Sequence, residues 1–276
     1  MNIGLLFITI FINPITNVLI GLYHLLLLGH IPYPLGFAVI LMTVLIRLIL
    51  YPFVSAQIKS AHKMQKVTPH LAAVKEKHKD DKKRQQEEIM KLYKEHGINP
   101  AAGCLPLVIQ LPVIWSLYSV LTHVVNVNTS SGITALNKIL YFPWMHISQN
   151  TWNVYFFGAV LSSSPSKMFS ANPAVILIPV VTGVLQFFLS KMMLPEPSLV
   201  PTIAKGEKKK DDFQTAFQNQ SLFIFPVMIA YFSFSLPLGL SLYWNTFTIF
   251  GILQQYLLVG AGGTKPWLSK IGINAR

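Results

Sequence analysis

Long apolar blocks separated by basic segments are the feature that most constrains this sequence. A membrane-spanning helix needs about 20 largely apolar residues, and five blocks approach or reach that length: residues 34–53, 101–124, 172–193, 221–236 and 237–259. Only 12% of all residues are charged, about half the share of a typical soluble domain. We therefore predict an all-α integral membrane protein with five transmembrane helices.

The apolar segment 13–28 does not fit this pattern cleanly. Asn13, Asn17 and His24 interrupt it, as in an amphipathic helix that lies in the membrane interface. We predict such an interfacial helix within an external N-terminal segment, residues 1–33. A sixth span is the alternative.

Basic residues are distributed unevenly between the apolar blocks. Residues 57–100 contain eleven, residues 191–220 contain five and residues 260–276 contain three, whereas residues 125–171 contain two and no acidic residue. With five spans the three basic regions share one side, which the positive-inside rule makes cytoplasmic. We therefore predict an external N-terminus and a cytoplasmic C-terminus.

The chain can then be divided into nine predicted segments. They are the external segment 1–33, the first span with its flank 34–56, the cytoplasmic segment 57–100, the second span 101–124, the external loop 125–171, the third span 172–193, the cytoplasmic loop 194–220, the fourth and fifth spans 221–259 as a hairpin that turns at Pro237, and the cytoplasmic tail 260–276. The aromatic residues of the external loop, including Tyr141, Trp144, Trp152 and Tyr155, suit either a membrane surface or the interior of a packed loop.

The formal net charge of +12 would point to nucleic acid in a soluble protein. Here the basic residues lie between apolar blocks, where they orient the chain. We expect anionic lipid headgroups as partners and no DNA.

Residues 57–100 form the most polar stretch. Apolar residues recur there at near-helical spacing, Pro69 interrupts them, the sequence from Lys79 to Lys82 breaks the pattern, and Gly97 is a suitable helix end. The pattern predicts a cytoplasmic antiparallel helical hairpin. It is either a docking arm for substrate or ribosome or a solvated connector between two spans.

Arg47 lies inside the first predicted span. A guanidinium in lipid costs at least roughly 2.5 kcal/mol, and no predicted span contains an acidic residue to pair with it. The side chain must reach water, a backbone carbonyl or the headgroups. Thr43 lies one turn earlier on the same face, and Gln110 and Gln186 lie within the second and third spans. These polar residues predict a hydrophilic groove that opens to the cytoplasm.

Two other classes of function are less well supported by the sequence. The segment GAGGTK at residues 260–265 lacks the Gly-Lys-Ser/Thr order of a phosphate-binding loop, and the eight histidines show no metal-ligand spacing. We predict no catalytic residue, cofactor or metal, and therefore no enzyme. A lone intramembrane arginine also occurs in anion pathways, so a small anion channel or transporter is the alternative.

Several motifs follow one another in an order specific to one family. They are TVLIRLILYP, EEIMKLYKEHGINPAAGCLPLVIQLPVIWSLYSVL, FPWMHIS and LPLGLSLYWNTFTIFGILQQY. With them the chain resembles the YidC/Oxa/Alb family of membrane protein insertases over residues 13–258. The resemblance implies five core helices around a cytoplasm-open hydrophilic groove, a cytoplasmic hairpin, and an activity that inserts and helps fold nascent membrane proteins.

The resemblance also assigns residues to this groove. The family's arginine falls on Arg47 and the groove-lining position one turn earlier on Thr43. An aromatic residue that meets substrate falls on Trp244, beside Tyr243, and a polar position of the third span falls on Gln186. The implied location is the plasma membrane of a bacterium, and the implied partners are nascent membrane proteins, with the ribosome and the Sec translocon as further candidates.

The chain departs from many relatives at both ends. It is expected to be a short form without a large external domain before its first span. Its tail carries only three basic residues, which weakens the case for ribosome docking by the tail.

Overall fold

The computed structural model describes residues 3–97, 105–124, 130–148, 152–194, 213–270 and 272. In chain order the α-helices are α1 (Ile3–Phe7), α2 (Asn13–Leu28), α3 (Pro34–Ile49), α4 (Tyr51–Lys77), α5 (Lys82–Glu95), α6 (Leu105–Ser119), α7 (Ser130–Asn137), α8 (Pro165–Met168), α9 (Leu177–Met192), α10 (Phe213–Ser235), α11 (Leu238–Val259) and α12 (Lys265–Lys270). Strands β1 (Tyr155–Phe156) and β2 (Ala159–Val160) form one antiparallel pair. The described residues are thus mostly helical, as the sequence predicts.

The chain divides into two compact units. The first unit comprises Met1–Ile49, Val108–Leu185 and Pro226–Phe250, and the second comprises Leu50–Leu107, Gln186–Phe225 and Gly251–Arg276.

The N-terminal helix is longer than predicted. A π-helical turn, Ile8–Ile12, joins α1 to α2, so the helix begins well before residue 13. Its segment Gly4–Leu28 has 25 residues and is long and apolar enough to cross a membrane by length and composition. The sixth-span alternative therefore meets the length requirement, and the interfacial placement stays a prediction.

The described part of the predicted external loop packs tightly against α2. The Asn17 side chain donates to the Ile139 carbonyl at 3.0 Å and accepts from the Tyr141 amide at 2.6 Å. A ring nitrogen of His24 bonds to the Met145 carbonyl at 2.8 Å. The polar side chains on one face of α2 thus form hydrogen bonds with backbone groups of the loop. This loop is therefore a structured part of the first unit.

The aromatic residues of the loop divide into exposed and packed ones. Tyr141, Trp144 and Tyr155 are each more than half exposed. The Trp152 ring instead packs on Tyr23, with 4.9 Å between ring centroids. The packed placement therefore applies to Trp152, whereas contact of the three exposed residues with a membrane surface stays a prediction.

The β-hairpin in this loop is not predicted by the sequence. Each strand has two residues, too few to show the alternation by which strands are recognised. Phe157 and Gly158 turn the chain with positive φ angles of 46° and 83°. The hairpin also explains Gly36, because a Cβ there would lie 1.9 Å from the ring of Phe156.

The first predicted span, residues 34–53, is not one helix. Helix α3 ends at Ile49, and α4 begins at Tyr51 with Pro52 in its first turn. Proline has no N–H to continue α3 but is tolerated where a new helix starts. Helix α3 alone is too short for a span. It reaches the required length and hydropathy only when the first part of α4 is included.

In the second unit, α4 and α5 run antiparallel. The Gln85 side chain donates to the Lys75 carbonyl at 2.8 Å near the turn, and Asp81 caps α5 by accepting from the Arg84 amide at 3.0 Å. The predicted interruption at Pro69 is wrong, because α4 continues through it. A proline inside a helix removes one hydrogen bond and bends the helix, and its neighbours here still favour helix.

Among the described residues, two helices have the length and hydropathy of a span by themselves. They are Gly4–Leu28 and Pro173–Met192, the second at the position of the predicted third span. The apolar part of α10, Leu222–Ser235, is shorter. Helix α11 has 22 residues but carries polar side chains. The five-span arrangement stays a prediction, and residues 101–104 of the second predicted span lie outside the described residues.

Helices α10 and α11 meet at the predicted hairpin. The break falls between Ser235 and Leu238. The amide of Leu238 donates to the Ser163 carbonyl, and that of Gly239 donates to the Leu161 carbonyl, both at 2.9 Å. The turn is therefore fixed by the same loop that packs on α2.

The tail packs onto the end of α9 within the second unit. The Gly263 amide donates to the Leu194 carbonyl at 3.0 Å, and the Lys191 ammonium lies 5.3 Å from the Trp267 ring. A Cβ on Gly262 would lie 2.0 Å from the Met192 carbonyl oxygen. The glycines of GAGGTK thus allow a close backbone approach.

Candidate functional site

Arg47 is buried in the first unit and is held by α11. Its side chain is 4% exposed. Its Nη2 donates to the Phe247 carbonyl at 2.6 Å, and its Cζ lies 3.5 Å from the centroid of the Phe247 ring. The sequence left water, a backbone carbonyl or the lipid headgroups as partners for this arginine. The structure shows a backbone carbonyl.

Three buried polar atoms of the first unit have no hydrogen-bond partner among the described residues. They are Arg47 Nε, Ser116 Oγ and Asn245 Oδ1, on α3, α6 and α11. Leaving such an atom unsatisfied costs about 1–3 kcal/mol. Proteins keep such groups where water or a ligand can satisfy them.

Thr43 is as deeply buried as Arg47, at 1% exposed. Its hydroxyl donates to the Val39 carbonyl at 2.7 Å, one turn earlier on its own helix. The hydroxyl is thereby satisfied without a partner from another helix, and its oxygen keeps acceptor capacity.

Gln110 and Tyr243 extend the polar contact to α6. The Gln110 amide donates to the Tyr243 hydroxyl. The Tyr243 ring lies 5.8 Å from the Phe247 ring, one helical turn further along α11. We call Arg47, Phe247, Tyr243 and Gln110 the Arg47 cluster; it joins α3, α11 and α6.

Trp244 contacts a different helix. Its ring stacks on Phe232 of α10 with 6.4 Å between centroids and 13° between planes. Adjacent residues point about 100° apart on a helix, so Trp244 and Tyr243 cannot share one direction. That Trp244 is the residue which meets substrate stays a prediction.

Gln186 belongs to the second unit, unlike the other predicted groove residues. In that unit the Gln254 side chain donates to the Tyr51 carbonyl at 3.3 Å and to the Ser55 hydroxyl at 3.1 Å. The structure thus brings Arg47, Gln110 and Tyr243 of the first unit into one cluster, and a place for Gln186 in the same groove stays a prediction.

Phe247 is the residue that sequence reasoning missed. Its spacing of four residues from Tyr243 puts both on one face of α11, so the signal was present. An apolar side chain in an apolar span, however, gives no sign of a functional role by itself.

The Arg47 cluster is suited to anionic groups. A guanidinium has five N–H donors and forms strong charge-assisted hydrogen bonds with carboxylates. Among the residues that the structure describes, no group of three or more His, Cys, Asp or Glu side chains is placed to hold a metal ion.

Comparisons with known proteins give a consistent result. Residues 18–262 match the profile of the 60Kd inner membrane protein family. The chain is 29% identical over 227 residues to a protein of Fusobacterium nucleatum named membrane protein insertase YidC, covering 82% of this chain and 87% of that relative. It is 30% identical over 229 residues to membrane protein insertase YidC 1 of Halalkalibacterium halodurans, covering 82% and 70%.

A plant protein is similar to the same extent. The chain is 30% identical over 241 residues to the chloroplast inner membrane protein ALBINO3 of Arabidopsis thaliana, covering 86% of this chain and 49% of that relative. The chain thus spans about half the length of this and two other chloroplast relatives. Its apolar helices and these relatives make it a multi-pass membrane protein. By the extent of the profile match, this chain belongs to the 60Kd inner membrane protein family, which is the YidC/Oxa/Alb family that its motifs resemble.

Proposed function

We propose that this protein inserts nascent hydrophobic protein segments into a membrane and assists their folding. The relatives named membrane protein insertase support this function. The structural observation that carries it is the buried Arg47, which has an unsatisfied Nε and lies against the Phe247 ring of α11. A polar site of this kind in a membrane protein marks a pathway for polar groups.

The proposed mechanism has two parts. The apolar part of a substrate moves into lipid because burial of apolar surface is favourable. The polar flank of the substrate meets the Arg47 cluster, so it crosses less hydrocarbon. The guanidinium attracts acidic residues of that flank, and water or substrate groups satisfy Ser116 and Asn245. No energy-coupling cofactor is required.

The proposed location is the plasma membrane of a bacterium, with the N-terminus outside and the C-terminus in the cytoplasm. The distribution of basic residues supports this orientation. We place α2 at the outer interface, because one face bonds to the external loop while Val18, Leu25 and Leu28 are 46%, 59% and 75% exposed. Those side chains suit contact with lipid.

The proposed groove would use five helices that open to the cytoplasm, with Arg47, Thr43, Gln110, Gln186, Tyr243 and Trp244 along it. The α4–α5 hairpin would dock substrate, ribosome or the Sec translocon. Its exposed basic and acidic side chains support a role in polar contacts. The tail packs on α9 through Trp267, which favours the hairpin over the tail as the docking element.

Reconstitution tests the function directly. The purified protein is placed in vesicles of anionic and neutral lipids, and a single-span membrane protein is synthesised in their presence. We expect protease-protected, correctly oriented substrate only in vesicles that contain the protein. The same vesicles, loaded with a small anionic dye, should retain it during insertion.

Dye release without substrate insertion would instead support the anion channel or transporter. Equal insertion in vesicles with and without the protein would contradict the insertase function.

A further inference from the structure

We propose that Phe247 is a positioning residue: its ring holds the Arg47 guanidinium so that the remaining N–H groups face carboxylates in the polar flank of a substrate. The inference rests on the proposed insertase function and adds to it the residue that orients Arg47 toward acidic flanks.

Phe247 holds Arg47 in two ways at once. Its carbonyl accepts from Nη2 at 2.6 Å, and its ring lies 3.5 Å from Cζ. The Phe250 ring lies farther away, at 5.8 Å. A cation within about 6 Å of a ring centroid is attracted by the negative face of the ring. The distances single out Phe247 as the main aromatic contact.

An aromatic contact leaves the guanidinium able to bind an anion. The cation–π interaction uses the face of the guanidinium, whereas hydrogen bonds use its edge. In the described structure Nε is buried and has no acceptor. A carboxylate at position 247 would neutralise the charge, but a phenyl ring does not.

The chain supplies no competing carboxylate from its apolar blocks. All ten acidic residues lie within 76–95 and 196–212, outside every predicted span. An acidic side chain that reaches Arg47 in the membrane is therefore expected to come from a substrate. In a partly desolvated site such a pair attracts more strongly than in water.

The position of the Phe247 ring is itself supported. Tyr243 lies beside it at 5.8 Å between centroids, and the Tyr243 hydroxyl accepts from Gln110. The ring is thus packed against a side chain that α6 fixes.

Fluorinated phenylalanines at position 247 test the inference, because fluorine weakens the negative face of the ring with little change in its size. The full-length protein carries phenylalanine, difluorophenylalanine or trifluorophenylalanine there and is reconstituted in vesicles. Two single-span substrates are compared, one with two aspartates in the translocated flank and one with asparagines instead. We expect the ratio of acidic-flank to neutral-flank insertion to fall stepwise, by about threefold to tenfold for the trifluoro form.

The same series at Phe250 is the matched control and should move the ratio less. Phe247→Leu should lower the ratio like the trifluoro form, and Phe247→Tyr should restore it. A constant ratio across the series would overturn the inference, as would an equal loss for both flanks, which indicates packing alone. If the wild type inserts neither substrate, the insertase function itself fails, and that result is distinct from a wild type that inserts both.

Discussion

Arg47 shows how the first unit accommodates one cation among apolar helices. Its burial costs at least roughly 2.5 kcal/mol. A charge-assisted hydrogen bond returns about 1.5–3 kcal/mol, and a desolvated cation–π contact about 2 kcal/mol. The Phe247 carbonyl and ring therefore offset the lower bound of the burial cost without an acidic partner.

The charge of Arg47 can be tested by two substitutions. We expect Arg47→Lys to retain much of the insertion activity and Arg47→Ala to lose it. The loss should be largest for a substrate with an acidic flank, because attraction to the cation is what that flank gains. Insertion of matched acidic and neutral flanks by both variants is the measurement. No loss for either flank would remove Arg47 from the mechanism.

Trp244 and Tyr243 make different contacts with substrate in our prediction. Tyr243 is fully buried and its hydroxyl is bonded to Gln110, whereas Trp244 is 7% exposed and stacks on Phe232 of α10. A photo-crosslinker at position 244 should therefore capture nascent chains more often than one at position 243. The opposite ranking would mean that α11 presents Tyr243 rather than Trp244 to the nascent chain.

The need of Arg47 for a partner follows from sequence, but the identity of that partner does not. Phe247 lies 200 positions away, and no local pattern specifies which carbonyl of α11 faces α3. Gln110 and Tyr243 stand out by polarity alone, whereas their hydrogen bond depends on the packing of two helices.

At the scale of elements, helix ends are predictable where a capping residue or a glycine marks them, and less so where a proline is the only indication. Asp81 follows the preference for a helix cap, and Gly97 has the positive φ of 61° expected beyond a helix. Pro69 misleads, because a proline is not always a helix end. The β-hairpin and the packed tail depend on Gly36 and Gly262, whose close contacts come from distant segments.

The α4–α5 hairpin gives a prediction at this scale. Replacing residues 75–91 with a short Gly/Ser linker removes the end of α4, the turn and most of α5. We expect the protein to assemble in the membrane with lower insertion, because the docking surface is lost. Membrane abundance is measured together with insertion. Unchanged insertion at equal abundance would make the hairpin a connector only.

At the scale of the whole molecule, the distribution of charged residues along the chain predicts the membrane topology, and no contact between residues is needed for that prediction. The acidic residues and most basic residues occur in the segments predicted to be cytoplasmic. Two exposed lysines provide test positions, Lys79 between α4 and α5 and Lys167 in α8.

Single cysteines at these two positions, in a Cys104→Ser background, should react on opposite sides. A membrane-impermeant thiol reagent added outside intact cells should label position 167 and leave position 79 unlabelled, because the basic side stays inside. Labelling after cell lysis is the control for reactivity. Equal labelling of both positions in intact cells would contradict the orientation.

Arg47 and the Phe247 carbonyl are separated by 200 residues, so they leave the ribosome at different times. A bacterial ribosome adds about 5–20 residues per second, so roughly 10–40 s pass between the synthesis of Arg47 and that of its acceptor. Asn17 likewise can form its hydrogen bond only after Ile139, 122 residues later, has been synthesised. During that interval the guanidinium has to remain hydrated. Helix α3 is therefore expected to settle at its final depth only after α11 has left the ribosome, so the beginning of this chain finishes folding with its end.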